Sequence, residues 1–207
     1  MAPPPVLIDL PETIETQRLV LRAPRPGDGA AINEAILETW DTLHRMMPWA
    51  RERPSLEESE AKARQMSAAF VTRADLPMLA FRKDTGTLAG TTGLHRMDWE
   101  VPRFEIGYWI RSTCEGHGYV SEWVAALTRF AFATLGARRV EIHCSHRNLR
   151  SQRVAERCGY VLEGRLRNHG REATGELRDT MVYALVPDDA TAQALRATTL
   201  GPGAVGD

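Results

Sequence analysis

Along the 207 residues the apolar positions change their period several times, and each change marks an element. Arg18-Leu-Val-Leu-Arg22 is short and β-prone, and Pro24 and Pro26 stop it. From Ala30 to Thr39 the spacing turns helical, with Ile32, Ala35, Ile36 and Trp40 on one side. His44-Arg-Met-Met-Pro-Trp-Ala50 is apolar but broken by Pro48 and reads as a loop. A second helix is expected from Ser55, where Glu58 completes a capping box, to about Val71. Strand signals then follow closely. Met78 to Arg82 and Leu88 to His95 flank Asp84-Thr-Gly86, a hairpin turn, and Arg103 to Arg111 is the third strand of this run. Its centre, Ile106-Gly-Tyr-Trp-Ile110, is apolar on both faces, as a central strand is. Gly107 within it points to a bulge or a close backbone approach.

Helical spacing returns with Val120, Trp123, Val124, Leu127, Phe130 and Ala131, and Gly136 ends that helix. Arg139 to Cys144 reads as a strand, and Asn148 is an N-cap for a helix reaching Arg157 or Cys158. Gly159 to Arg165 and Thr180 to Val186 supply two last strands, with Asn168 to Gly175 between them as a polar, mobile linker. The pattern contains no repeat and no midchain break. It predicts one α/β domain over residues 13–187, preceded by a proline-rich lead-in at 1–12. Residues 188–207 follow as a short helix after Pro187 and a disordered tail at Gly201–Asp207.

Composition sharpens the class. Hydrophobic residues make up 43% and charged residues 26%, close to soluble globular averages, so the chain is expected to fold. A net charge of −1 removes the general electrostatic argument for direct nucleic-acid binding. Of 26 basic residues only Lys62 and Lys83 are lysines, which leaves 24 arginines suited to bidentate phosphate or carboxylate contacts. Cys114, Cys144 and Cys158 are scattered and form no CxxC, which argues against a disulfide framework and fits a reducing compartment. The amino terminus lacks the basic and apolar regions of a signal peptide, and no run approaches a membrane span. A cytoplasmic protein without a membrane partner is expected, as a monomer or a homodimer.

The informative chemistry lies between the third strand and the next helix. Thr113-Cys-Glu-Gly-His-Gly118 opens a helix whose first N–H groups lack intrahelical partners and whose dipole places partial positive charge there. Gly116 and Gly118 allow the backbone close to a phosphate. The loop is not a P-loop, since no Gly-Lys-Ser/Thr follows, and it lacks the third glycine of a dinucleotide fingerprint. His143 and His146 have no further ligands at suitable spacing, so no metal is expected, and Cys114 has no organised histidine that would make it a nucleophile.

Gly107-Tyr-Trp-Ile110, Glu115-Gly-His-Gly-Tyr119, Ser121-Glu122, Asn148-x-x-Ser151 and Gly159-Tyr160, in this order and spacing, resemble the GNAT acyltransferases. Glu15-Thr-Gln-Arg-Leu-Val-Leu-Arg22 is similar to the first strand of their ribosomal-protein N-acetyltransferase (RimJ/RimL) branch, so the resemblance covers roughly residues 13–187. It implies an α/β (α+β) GNAT fold, with a mixed, mostly antiparallel sheet splayed at a β-bulge near Gly107 and flanked by helices. It also implies acetyl-CoA as co-substrate. Pantetheine would pair with the backbone of Tyr108, Trp109, Ile110 and Arg111, and pyrophosphate would rest on Glu115, Gly116, His117, Gly118, Tyr119 and Val120. Asn148 and Ser151 would face the pantetheine and thiol, and Arg153, beside Arg147 and Arg150, would meet the extra phosphate. Trp49 and Met47, with Trp40, Met46 and Pro48, would cap the acceptor pocket.

Three positions depart from that pattern. Thr113 stands where the broader family usually has Gln or Arg, which removes a side chain but not the backbone cradle. Ala155 replaces a tyrosine general acid found in many relatives, which makes Ser151 the candidate acid. Gly170 aligns with a loop carboxylate of some relatives, with Glu172 and Glu176 near but out of register. Glu105 resembles the general-base glutamate of other GNAT enzymes, acting directly or through water, because amide formation needs a neutral amine. The implied reaction is direct attack of a primary amine on acetyl-CoA, with a protein N-terminal α-amine favoured. A small amine such as an aminoacyl compound or antibiotic remains open, as do a non-catalytic CoA-binding or sensing module and a flavin or nicotinamide protein.

Overall fold

A computed structural model describes residues 4–197. Its centre is an eight-stranded sheet in the order β1-β2-β3-β4-β5-β6-β8-β7. The strands are β1 (Thr13–Glu15), β2 (Leu19–Arg22), β3 (Leu76–Arg82), β4 (Leu88–Asp98), β5 (Arg103–Ile110), β6 (Arg139–Ser145), β7 (Val161–Arg171) and β8 (Leu177–Leu185). The helices are α1 (Gly29–Glu38), α2 (Trp40–Met46), α3 (Leu56–Thr72), α4 (Tyr119–Ala133), α5 (Leu149–Arg157) and α6 (Ala190–Ala197). All neighbouring strands are antiparallel except β5 and β6, which are parallel and joined through α4.

Burial follows the periodicities. The α4 stripe of Trp123, Val124, Leu127, Phe130 and Ala131 is buried against Phe104 and Ile106 of β5 and Val140 and Ile142 of β6. Each large side chain removed from water there contributes about 1.5–3 kcal/mol. The other face of the sheet carries a smaller core, where Ile32, Ala35, Ile36, Trp40 and Leu43 of α1 and α2 meet Leu79, Leu88 and Trp109. The Ser55 capping box forms in both directions, with Ser55 Oγ accepting from Glu58 N at 3.1 Å and Ser55 N donating to Glu58 Oε2 at 2.7 Å.

Four local readings change. His44 to Met46 do not belong to a loop: they finish α2, because Trp40 and Leu43 bury one turn apart before Pro48 ends the run. Asn168 to Arg171 are the end of β7, since this polar edge strand needs only one partner, and the connection to β8 shrinks to a tight turn in which Gly175 N donates to Glu172 O. β1 is an additional short strand paired with β2. Gly107 is not bulged, because its pairing with Gly93 lies in an unbroken register from Gly90↔Ile110 to His95↔Glu105. The bulge falls on β4 instead, between His95 and Asp98, where Arg96 takes φ 48°. The lead-in docks in part, with Arg73 donating to Ile8 O at 3.0 Å and Leu10 against the main core. The expected tail at Gly201–Asp207 lies outside the described residues.

The splay itself is present. Among the described residues β6 pairs with β5 only through Arg103↔Arg139, Phe104↔Val140 and Glu105↔Glu141. Beyond Glu105 the two strands part, and a wedge opens along Ile106 to Ile110.

Candidate active site

Sequence makes the cradle at the mouth of this wedge. Arg111 turns the chain out of β5, a 3-10 turn at Ser112–Cys114 follows, and Gly116 and Gly118 take φ 80° and 79°. A Cβ on Gly116 would meet nothing within 4 Å, so the backbone there borders open space. That space is a cavity of about 490 Å³ lined by Ile110, Glu115, Gly116, Gly118, Tyr119, Val120 and Ser121 on one side. Arg150, Arg153, Val154 and Arg157 of α5 line the other. Arg150 ties the two walls together through Glu115 Oε2 at 2.5 Å. A helix N-terminus, two glycines and three arginines fit a pyrophosphate-bearing cofactor.

The loop is held from behind. Glu122, in the first turn of α4, accepts from Thr16 Oγ1 at 2.6 Å, Arg18 N at 2.8 Å and Arg18 Nε at 2.7 Å. Burial opposes the charge on Glu122, yet these donors keep its carboxyl below the usual range. Arg18 also donates to His117 O at 2.8 Å and lies 4.7 Å over the Tyr119 ring.

Deeper in the wedge, alternation along β5 divides the chemistry between two faces. On the α4–α5 side, Tyr108 Oη lies 2.8 Å from Ser151 Oγ. Asn148 caps α5 by accepting from Ser151 N at 3.1 Å, which fixes the serine in the first turn. Burial pushes the Tyr108 hydroxyl far up and the neighbouring Cys144 thiol up to about 11, the Ser151 hydrogen bond opposing both. At neutral pH the Tyr108 hydroxyl and the Cys144 thiol therefore keep their protons.

The opposite face carries charge. Cross-strand register puts His95 beside Glu105 and Glu105 beside Glu141. Asp75, just ahead of β3, reaches His95 Nδ1 at 2.8 and 2.9 Å. Glu105 Oε2 meets Arg96 at 2.9 Å and lies 3.1 Å from His143 Nδ1, while His143 Nε2 lies 3.2 Å from Glu141 Oε2. These two histidine contacts have ion-pair distances without hydrogen-bond angles. Trp49, half exposed, leans over Trp109 with ring centroids 6.5 Å apart, and Met47 packs into the same small core.

Among the sequence candidates, Ile110, Glu115, Gly116, Gly118, Tyr119, Val120 and Arg153 meet around the cavity. Tyr108, Trp109, Arg111, His117, Asn148 and Ser151 do not line it: Tyr108 and Ser151 meet each other deeper in, Trp109 turns to the α1–α2 core and Arg111 binds Glu34 and Glu38. His117 stacks on Tyr119, and Asn148 is spent on its cap. Arg147 is drawn away to Glu176. Sequence reasoning missed Arg157, although Arg150, Arg153 and Arg157 at i, i+3 and i+7 form a readable stripe. It also missed His95 with Asp75, and the burial of Glu172, which accepts from Ser145 Oγ at 2.6 Å. Among the described residues no His, Cys, Asp and Glu group is arranged for a metal, and no helix is long and apolar enough to cross a membrane.

Known proteins resemble this chain in sequence and in fold. A family profile for an acetyltransferase (GNAT) domain matches residues 18–161. YdaF of Bacillus subtilis (strain 168) is 36% identical over 101 residues, 49% of this chain and 55% of YdaF, so the chain spans about half the length of that relative. RimL, a ribosomal L7/L12 alpha-N-protein acetyltransferase solved with coenzyme A, superposes with a TM-score of 0.78 at 25% identity, covering 84% of this chain and 97% of RimL. The microcin C7 self-immunity acetyltransferase MccE, solved with acetyl-CoA and AMP, shares the fold with a TM-score of 0.79 at 22% identity, over 86% of this chain and 97% of MccE.

Proposed function

The chain belongs to the GNAT acetyltransferase family, whose acyl donor is acetyl-CoA, and from that premise we propose that it acetylates the α-amine of a protein N-terminus. The observation that carries this reading is the division of β5, with a proton-holding pair on one face and a row of carboxylates on the other. An ammonium is drawn to the acidic face, and a leaving thiolate needs a proton on the other. When bound, acetyl-CoA supplies an activated carbonyl at the wedge. The loop from Glu115 to Val120 and the α5 arginines hold its phosphates, and the backbone of Tyr108 to Arg111 offers strand-like pairing. Ser151, backed by Tyr108, gives the thiolate its proton. Glu105 anchors the incoming ammonium, and Trp49 with Met47 covers the acceptor.

RimL's alpha-N-protein substrate favours a protein terminus. The likeness to MccE, solved with AMP, favours a small amine as the second reading. The free thiols of Cys114, Cys144 and Cys158 fit action in the cytoplasm. Thioester consumption measured with acetyl-CoA across N-terminal peptides and small amines separates the readings, with peptides expected to turn over fastest. Ser151→Ala is expected to lower kcat about 100-fold while acetyl-CoA affinity stays within about twofold. Acetyl-CoA binding without turnover on any amine would replace the enzyme with a binding module.

A further inference from the structure

Acetylation at this site needs a group that removes a proton from the acceptor ammonium. Glu105 is already engaged, because Arg96 and the His143 ring both meet it at Oε2. One strand away stands an imidazole with a different set of neighbours. His95 Nδ1 lies 2.8 and 2.9 Å from the two oxygens of Asp75. An ionised carboxylate only accepts, so in the neutral ring the proton is assigned to Nδ1 and Nε2 presents its lone pair. The ring's hydrogen bonds to Asp75 run through Nδ1 alone, and the side chain is 31% exposed.

The ring's position is built into the backbone. Gly93 and Gly107 are cross-strand partners, and His95 lies in the trough that their missing side chains leave. A Cβ on Gly107 would come within 2.7 Å of His95 Cδ2 and 3.1 Å of Nε2, and one on Gly93 within 3.1 Å of Cε1. This accounts for glycine at 107 without any bulge. It also sets Nε2 over Gly107, two residues beyond Glu105, which is the last residue of β5 to pair with β6. Tyr108, the next residue, reaches the Ser151 hydroxyl from the other face.

We propose that His95, oriented by Asp75, is the general base of the transfer. The inference rests on the acetyltransferase reading above. One ammonium proton passes to His95 Nε2 and on to water, and the freed nitrogen lone pair forms the C–N bond to the acetyl carbon. The C–S bond breaks with its electron pair on sulfur, and the thiolate takes a proton from Ser151, which is replaced by the second proton shed by nitrogen. Asp75 is a positioning residue that fixes the tautomer. The charged groups facing the imidazole are Asp75 from the α3–β3 junction, Arg96 on its own strand and Glu105 on β5, with the Glu141 and His143 pair of β6 beyond.

The test measures kcat, KM and their pH dependence for acetyl transfer to a peptide α-amine, with acetyl-CoA affinity as the folding control. His95→Ala is expected to lower kcat at least 100-fold, abolish the acidic limb of the kcat/KM profile and recover rate when imidazole is added, with acetyl-CoA affinity within about twofold. His95→Gln fills the trough but takes no proton, and the same loss is expected. Asp75→Asn is expected to lower kcat about tenfold without raising KM, and Asp75→Glu to restore it. If wild type turns over while His95→Ala or His95→Gln keeps a third or more of its kcat with the acidic limb intact, the base is another group. If wild type itself transfers acetyl to no amine, the acetyltransferase reading falls and takes this one with it.

Discussion

Glu122 shows how much of this site depends on a side chain that does not line the cavity described above. Its carboxylate receives three hydrogen bonds from Thr16 and Arg18, and Arg18 in turn holds the carbonyl of His117. Glu122→Gln removes the charge that makes these bonds strong, at a cost of about 2 kcal/mol. The expected outcome is a lower urea midpoint and roughly tenfold weaker acetyl-CoA binding by calorimetry. At this scale the sequence was legible where function sits in one short segment. Gly116, Gly118, Asn148 and Ser151 each stand at a turn or helix start with a local reason for being there. His95 and Asp75 were hidden, because twenty positions separate them and only the β3–β4 register brings them together. The same holds for Glu105, whose partners Arg96 and His143 come from different strands.

Between elements, the acceptor side and the donor side are tied by one carboxylate. Glu38, in the last turn of α1, accepts from Arg111 Nε at 2.5 Å, Thr113 N at 3.0 Å and Thr113 Oγ1 at 2.8 Å. Thr39 Oγ1 adds a bond from Ser112 N at 3.0 Å. Although α1 lines none of the cavity, Glu38→Gln is expected to weaken acetyl-CoA binding about fivefold with an unchanged far-ultraviolet circular dichroism spectrum. Thr113 thus has a structural task of its own, binding α1. Periodicity located α3, α4 and β5 because a full stripe repeats over several turns or alternates along a strand. It misread α2, where two buried residues and a nearby proline carry too little pattern, and the polar end of β7, where exposure of both faces removes the alternation.

For the molecule as a whole, stability should depend on acid more than its near-zero net charge suggests. Burial opposes ionisation of Asp28, Glu38 and Glu122, yet hydrogen bonds led by Arg22, Thr113 and Thr16 respectively hold all three below the usual carboxylate range. A depressed folded-state pKa gives stability that is fully present above the unfolded value near 4 and is lost as pH falls through the lower folded one. Discounted for solvent screening, the three together account for about 2 kcal/mol, so calorimetry should show Tm roughly 5 °C lower at pH 3 than at pH 7. The GNAT fold was readable at this scale because motif order fixes it, whereas the wedge's true geometry depends on where β5 and β6 stop pairing. That parting has a further meaning. Three residue pairs stitch the sheet across this seam, and past them the inner edge of β5 is a rung with no neighbour in the sheet. Amide protons there trade with water through local breathing, and a ligand lying strand-like in the gap would slow that trade. Occupancy of the wedge would then be written into hydrogen-exchange rates before any acetyl group has moved.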